Sequence, residues 1–238
     1  MEHTITLLTG YTDKKGEVHR EVTFGKRLSV GDIMLLDSDP RAVNPTQYND
    51  LVMRRMITKF GSLPLPIGDG VLASLDTIDR EDLRVGGDRF LELSRGDDRK
   101  GEILDAETNR LAFGFEIDGT RYTLVKFGRM QTGNDEYKAD ALGLTGVSRE
   151  CYLLGAQIAS IESEDGTTIE GPIGTKEFAS LDGEDLIRLR SSAHLRRLSF
   201  RFSRESVSRE RNGENDLSSD GANGNVREGS AGDADPKA

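Results

Sequence analysis

The sequence predicts an α+β protein made of two tandem copies of a small β-hairpin-plus-helices domain, followed by a disordered C-terminal tail. Three observations predict it. First, Gly16, Phe24, Gly25 and Asp32 recur as Gly119, Phe127, Gly128 and Asp135, each displaced by 103 positions, and an ordered series at constant offset marks an internal repeat. Second, each copy opens with paired strand-like runs about a turn. Third, from about Ser203 the composition turns to Ser, Gly, Asn, Asp, Glu and Arg without an aromatic residue, which leaves too little apolar surface to offset chain entropy. The boundaries read 1–95 for the first repeat, 96–110 for a polar linker, 111–203 for a second, diverged repeat and 204–238 for the tail.

The first hairpin pairs Ile5–Tyr11 with Val18–Phe24 around Asp13-Lys14-Lys15-Gly16. The second pairs Leu111–Ile117 with Arg121–Phe127 around Asp118-Gly119, a dipeptide that tolerates positive φ at both positions. Ser29-Val-Gly-Asp32 has the form of a capping box, and a short helix through Leu36 follows. Asn44-Pro45 is an N-cap and N1 pair. Tyr48, Leu51, Val52, Met56 and Phe60 then recur at helical spacing until Gly61 and Pro64. The matching helix starts at Ser148 and runs through Tyr152, Leu153, Ala156 and Ala159. A last helix is predicted near Asp79–Leu93, broken or bent at Gly86-Gly87, and again near Gly183–Leu198. With an offset of 106, Pro66-Ile67-Gly68 and Ala73-Ser-Leu-Asp76 lie against Pro172-Ile173-Gly174 and Ala179-Ser-Leu-Asp182, while Glu81-Asp82-Leu83 matches Glu184-Asp185-Leu186 at 103.

The 238 residues are 35% hydrophobic and 31% charged, with a formal net charge of -10. That balance supports a core under a solvated exterior and disfavours a general nucleic-acid binder, whose affinity comes from Lys and Arg neutralising phosphates. The acidity is spread over the four segments as -2, -2, -3 and -3, which reads as solubility rather than as an interaction arm. No apolar run approaches the roughly 20 residues of a membrane span, and Met1-Glu2-His3-Thr4 lacks an export signal. One cysteine, Cys151, fits a reducing compartment.

No catalytic constellation stands out. Cys151 has no convincing histidine partner among His3, His19 and His194, and reads as a buried small residue. Asp76, Asp79 and Asp82, partly repeated by Asp182 and Asp185, have the spacing of carboxylates on one helical turn; capping explains them as well as a metal or an acid/base pair does. Gly68-Asp-Gly70 and Gly171-Pro-Ile-Gly174 lack the lysine of a phosphate loop. The segment His194–Glu205 interleaves Arg196, Arg197, Arg201 and Arg204 with Phe200 and Phe202, a mixture suited to single-stranded nucleic acid or to an arginine-rich helix end. No cofactor or metal is expected. Met53, Met56, Phe60, Leu63 and Leu65 form an apolar cluster that suits either core or an adaptable partner-binding face.

Arg20-Glu-Val-Thr-Phe24, then Leu28-Ser-Val-Gly-Asp32, a helix, and Leu72-Ala-Ser-Leu-Asp76 with Asp79 and Leu83 resemble the small tail assembly chaperones of Mu-like and related tailed bacteriophages. The outline covers residues 17–93; the second copy matches less fully, through Thr123-Leu-Val-Lys-Phe127 and Leu181-Asp182. Members of that family usually hold one such unit, so the duplication departs from the pattern. The resemblance implies a non-enzymatic role in the host cytoplasm: binding the tape-measure protein, keeping it soluble and helping tail-tube subunits assemble around it. The alternative is a structural component of the phage tail or baseplate, located in the virion tail.

Overall fold

A computed structural model describes residues 1–96, 101–105 and 107–216, with side chains through residue 200. The fold is mixed α+β with two antiparallel sheets. In the first half, β1 (His3–Thr12) and β2 (Val18–Phe24) form the expected hairpin. Ser29 and Asp32 cap each other's backbone N–H at the start of α1 (Val30–Asp37). The Asn44 side chain accepts from Gln47 N–H at 3.0 Å to open α2 (Pro45–Met56).

The helical periodicity from Tyr48 to Phe60 misleads after Met56. The chain turns extended at Ile57, and β3 (Ile57–Phe60) pairs with β2 through Val22↔Phe60 and Phe24↔Ile57. β2 would otherwise be an edge with unpaired backbone groups, and the β-branched Ile57 and Thr58 suit a strand, so tertiary pairing overrides the helical pattern. The second half repeats the lesson: the helix predicted through Ala159 ends at Gly155, and Ala159 lies in a strand.

α3 (Asp69–Ala73) and α4 (Thr77–Arg95) complete the first half. Contrary to the predicted break, α4 is continuous through Gly86-Gly87. A Cβ at Gly86 would stand 3.0 Å from Ile5 and Phe24, and one at Gly87 3.1 Å from the Met53 sulfur. The glycines let the helix lie close on the hairpin, and that packing offsets their poor helix propensity.

The second half runs β4 (Glu102–Ile103), β5 (Thr108–Ile117), β6 (Thr120–Phe127), α5 (Gly133–Ala141), α6 (Gly146–Gly155), β7 (Ile158–Ser163), β8 (Thr168–Glu170), α7 (Thr175–Phe178) and α8 (Gly183–Asp216). Its strands lie in the order β4-β5-β6-β7-β8. The polar linker 96–110 thus contains β4 and the first residues of β5, while 97–100 and 106 lie outside the described residues. α8 enters the span 204–238, for which a disordered tail is expected; 217–238 lie outside the described residues. No helix among the described residues is long and apolar enough to cross a membrane.

Two apolar clusters form the interior. One gathers Leu7, Val22, Phe24, Phe60, Leu72 and Phe90; the other gathers Phe115, Val125, Phe127, Phe178, Leu181 and Leu189. The second also contains Val30, with Met34 packed against it, both from α1 of the first half. Residues Met1–Arg197 consequently form one compact unit.

A buried carboxylate ties each hairpin to its last helix. At a bulge in β1, Gly10 takes φ 80°, and the freed N–H groups of Leu8, Thr9 and Gly10 donate to Asp79 on α4, the shortest at 2.7 Å. At a bulge in β5, Gly114 takes φ 76°, and Ala112, Phe113 and Gly114 donate to Asp185 on α8 at 2.7–2.9 Å. Asp185 therefore matches Asp79 at an offset of 106, whereas the sequence alignment pairs it with the exposed Asp82. Replacing Asp79 or Asp185 by Ala strands three backbone donors, so each variant should lose on the order of 3 kcal/mol in urea unfolding, and Asp82→Ala no more than about 0.5. A cost for Asp79→Ala no larger than that for Asp82→Ala would refute the latch.

Candidate partner-binding cleft

The junction between the halves is built on Arg27, which follows β2. Its guanidinium donates to both Asp182 oxygens at 2.8 and 2.9 Å, to Glu184 at 3.2 Å, and to Leu91 O and Ser94 Oγ at 2.9 and 2.8 Å. It also stacks 4.2 Å above the Phe113 ring. Burial works against the Arg27 charge, but the hydrogen bonds and charges of Asp182 and Glu184 outweigh it, and the pKa rises above the ordinary arginine value. Beyond Arg27 the backbone is clasped as in a sheet: Val30 N–H donates to Leu181 O at 2.7 Å, Gly31 N–H to Ala179 O at 3.1 Å, and Gly183 N–H to Leu28 O at 3.1 Å.

Beside this junction lies a cleft of about 430 Å³ between α1, α2, α4, α6 and α8. Leu28, Ile33, Val52, Met56, Leu91 and Ile187 give it apolar walls, and Arg95, Glu184 and Arg190 stand among them. Glu184 is held by Arg95 at 3.0 Å and Arg188 at 3.4 Å. Ile187 is 60% exposed although it sits on the first turns of α8 beside the buried Leu186. An apolar recess with a charged margin is suited to an apolar side chain or helix face from another protein.

Of the five residues expected to bind a partner, only Met56 reaches this cleft. Phe60 is fully buried in the first cluster because β3 turns it inward, and Met53 and Leu63 pack against that cluster. Leu65 is exposed beside a different cavity, lined also by Lys26, Arg41, Arg54 and Arg55. The cluster is therefore mainly core. Sequence reasoning missed Leu28, Ile33, Val52 and Ile187; the adjacent Leu186-Ile187, apolar on both sides of one helix, was the available signal.

The residues considered for chemistry separate. Asp76 caps α4 by accepting from Asp79 N–H at 2.8 Å, Asp79 is consumed by β1, and Asp82 faces solvent. Asp182 holds Arg27, and Asp185 holds β5. Arg196 is buried, donates to Gly128 O and Arg129 O, and lies over the Phe127 ring at 5.1 Å, so it faces the interior rather than a nucleic acid. Arg197 bonds the Gln131 side chain; the side chains of Arg201, Phe202 and Arg204 lie outside the described residues. Cys151 is fully enclosed, and burial with the nearby Glu150 charge pushes its thiol up to about 12.

Cys151 should therefore leave a thiol reagent unreacted at pH 8 in the native protein and titrate fully in denaturant. Arg27→Ala should cost about 3 kcal/mol in chemical unfolding, since it strands Asp182 in a largely enclosed place. Comparison with known protein families, curated proteins and solved structures finds no match for this chain.

Proposed function

We propose that this chain is a non-enzymatic tail assembly chaperone of tailed phages that works in the host cytoplasm and holds an apolar segment of the tape-measure protein in the cleft between its halves. The observation that carries the reading is that cleft, with exposed Ile187 and the apolar walls of Leu28, Ile33 and Val52 beside a fixed charged margin. The resemblance of residues 17–93 to that family names the client. The buried Cys151 and the dispersed Asp76, Asp79 and Asp82 speak for binding over catalysis.

The reading includes a tandem duplication. In its favour, the order β-β-α-α-β-α-α over 3–95 recurs over 108–216 with β8 added. The Asp79 and Asp185 latches match, as do the capping boxes Ser29–Asp32 and Thr132–Asp135, whose acids pair with Lys26 at 2.9 Å and Arg129 at 2.6 Å. Two such units sharing one cleft explain why a family of single units would tolerate doubling: the junction creates a binding surface that neither half has alone.

The test is a pull-down of the tagged full chain from cells making the whole tail gene set, with mass spectrometry of the bound proteins and of finished particles. Recovery of the tape-measure protein with the chain absent from particles is the expected outcome. Ile187→Asp should reduce that recovery at least tenfold, about 1.4 kcal/mol, while Val85→Asp, on an exposed face of α4, leaves it unchanged. The chain found in particles at fixed copy number would instead make it a structural part of the tail or baseplate.

A further inference from the structure

We propose that the tip of the first hairpin is a binding site for a late first-row divalent cation, with Zn²⁺ as its probe, ligated by His19 Nε2, Asp13 and Glu17. One ligand atom from each of these residues can be chosen so that all lie within 4.8 Å of one another. The histidine makes the cluster more than an acidic turn. Its side chain is 2% exposed, and Nε2 has no hydrogen-bond partner. A buried ring nitrogen without a partner is costly, and this one faces Asp13 Oδ2 at 3.7 Å. That is too long for a hydrogen bond, but close to the roughly 3.4 Å between two donors on one tetrahedral zinc with bonds of about 2.0–2.1 Å.

The surrounding bonds hold the donors in place. Asp13 Oδ1 accepts from Lys15 and Glu17 N–H at 2.8 and 2.9 Å, which leaves Oδ2 turned to the ring. On the far side of the ring, Nδ1 lies 3.4 Å from the Ser62 hydroxyl, which itself donates to Glu17 Oε1 at 2.8 Å. Ser62 N–H also points at Nδ1, at 3.4 Å. An ion at Nε2 therefore requires the ring proton to sit on Nδ1, giving up that contact and donating to Ser62 Oγ, as metal-bound histidines donate their second ring N–H to an outer partner. Gly61, at φ 52°, makes room: a Cβ there would stand 2.7 Å from Nδ1. Glu17 Oε1 lies 3.9 Å from Nδ1 and accepts from Ser62, so this 58% exposed side chain reaches an ion at Nε2 by leaving that contact, and water completes the coordination. Imidazole with carboxylates favours zinc and its neighbours over Mg²⁺.

The second hairpin lacks every part of this site. Its two-residue turn Asp118-Gly119 has no counterpart to Asp13 and Glu17, and Tyr122, paired with Phe115 as His19 is paired with Tyr11, fills the ring position. The site thus belongs to the longer first turn.

The experiment uses the full chain, stripped with a chelator and dialysed, in calorimetry and thermal unfolding with ZnCl₂ and separately with MgCl₂. One equivalent of Zn²⁺ should bind and raise the unfolding midpoint by roughly 5 °C at 100-fold excess over the dissociation constant, with no response to Mg²⁺. His19→Gln risks misfolding, so the deciding variants are Asp13→Asn, which keeps Oδ1 for the turn, and Glu17→Gln on the surface. Each should bind Zn²⁺ at least tenfold more weakly while melting like the metal-free parent. Absence of a zinc response, an equal response to Mg²⁺, or a response unchanged in both variants would overturn the site.

Discussion

The bidentate pair between Arg27 and Asp182 is the contact on which the rest of the arrangement depends. Its side chains are 15% and 11% exposed, so it lies in the range where desolvation and attraction are both large and geometry decides the balance. Here the geometry is favourable: two parallel N–H···O bonds of 2.8 and 2.9 Å to Asp182, a second carboxylate, Glu184, at 3.2 Å, and the remaining nitrogen satisfied by Leu91 O and Ser94 Oγ. A lysine could not reproduce this fork. With Arg27 fixed, Leu28–Gly31 must run alongside Ala179–Gly183, and α1 must begin where Val30 drops into the second cluster. One helix of the first half thereby becomes part of the second half's interior, and the two apolar clusters cannot come apart without exposing it.

Within each half the equivalent constraint is the carboxylate latch. A bulge leaves backbone donors that the partner strand no longer satisfies, and burying them under a helix would be prohibitive without an acceptor. Asp79 and Asp185 supply that acceptor, and glycine at position 10 or 114 is needed because the φ is positive and a Cβ would meet the facing strand's carbonyl oxygen at 2.5 or 2.4 Å. Arg20 and Arg121 finish the job from the other side, donating to Thr9 O and to Phe113 O. Hairpin, bulge and helix are therefore a single cooperative piece, and the α4 glycines that admit Ile5 and Phe24 belong to it.

What the sequence reveals of this and what it hides divide along sequence separation. The hairpins, the Asp118-Gly119 turn with φ of 51° and 77°, and the capping box at Ser29 are all encoded within a few residues, and pattern reasoning finds them; the box at Thr132 is equally local, yet of it only Asp135 stands out in the sequence, as the repeat of Asp32. β3 escapes because Tyr48–Phe60 keeps helical spacing while its last four residues answer to a strand far upstream. The match of Asp79 with Asp185 escapes because an alignment scores identity, so it prefers Glu-Asp-Leu to Glu-Asp-Leu and cannot see which carboxylate meets a bulge. Arg27 and Asp182 stand 155 residues apart, and nothing local marks either. Most of the Met53–Leu65 cluster is core for the same reason: the burial of Phe60 is decided by β3, and the packing of Met53 by the glycines of α4, both non-local facts.

The cleft follows from these constraints rather than adding to them. Its walls come from five helices, and their spacing is set by Arg27 at one end and by the packing of α1 on α6 at the other, where the Asp37 carboxylate accepts from Val147 N–H at 3.0 Å. A recess produced by two docked halves keeps apolar side chains such as Ile187 exposed because neither half alone has a partner for them. On the proposed reading the net charge of -10 has a direct physical role: a client-binding protein that presents apolar walls needs like-charge repulsion between its own copies to keep those walls free for its client.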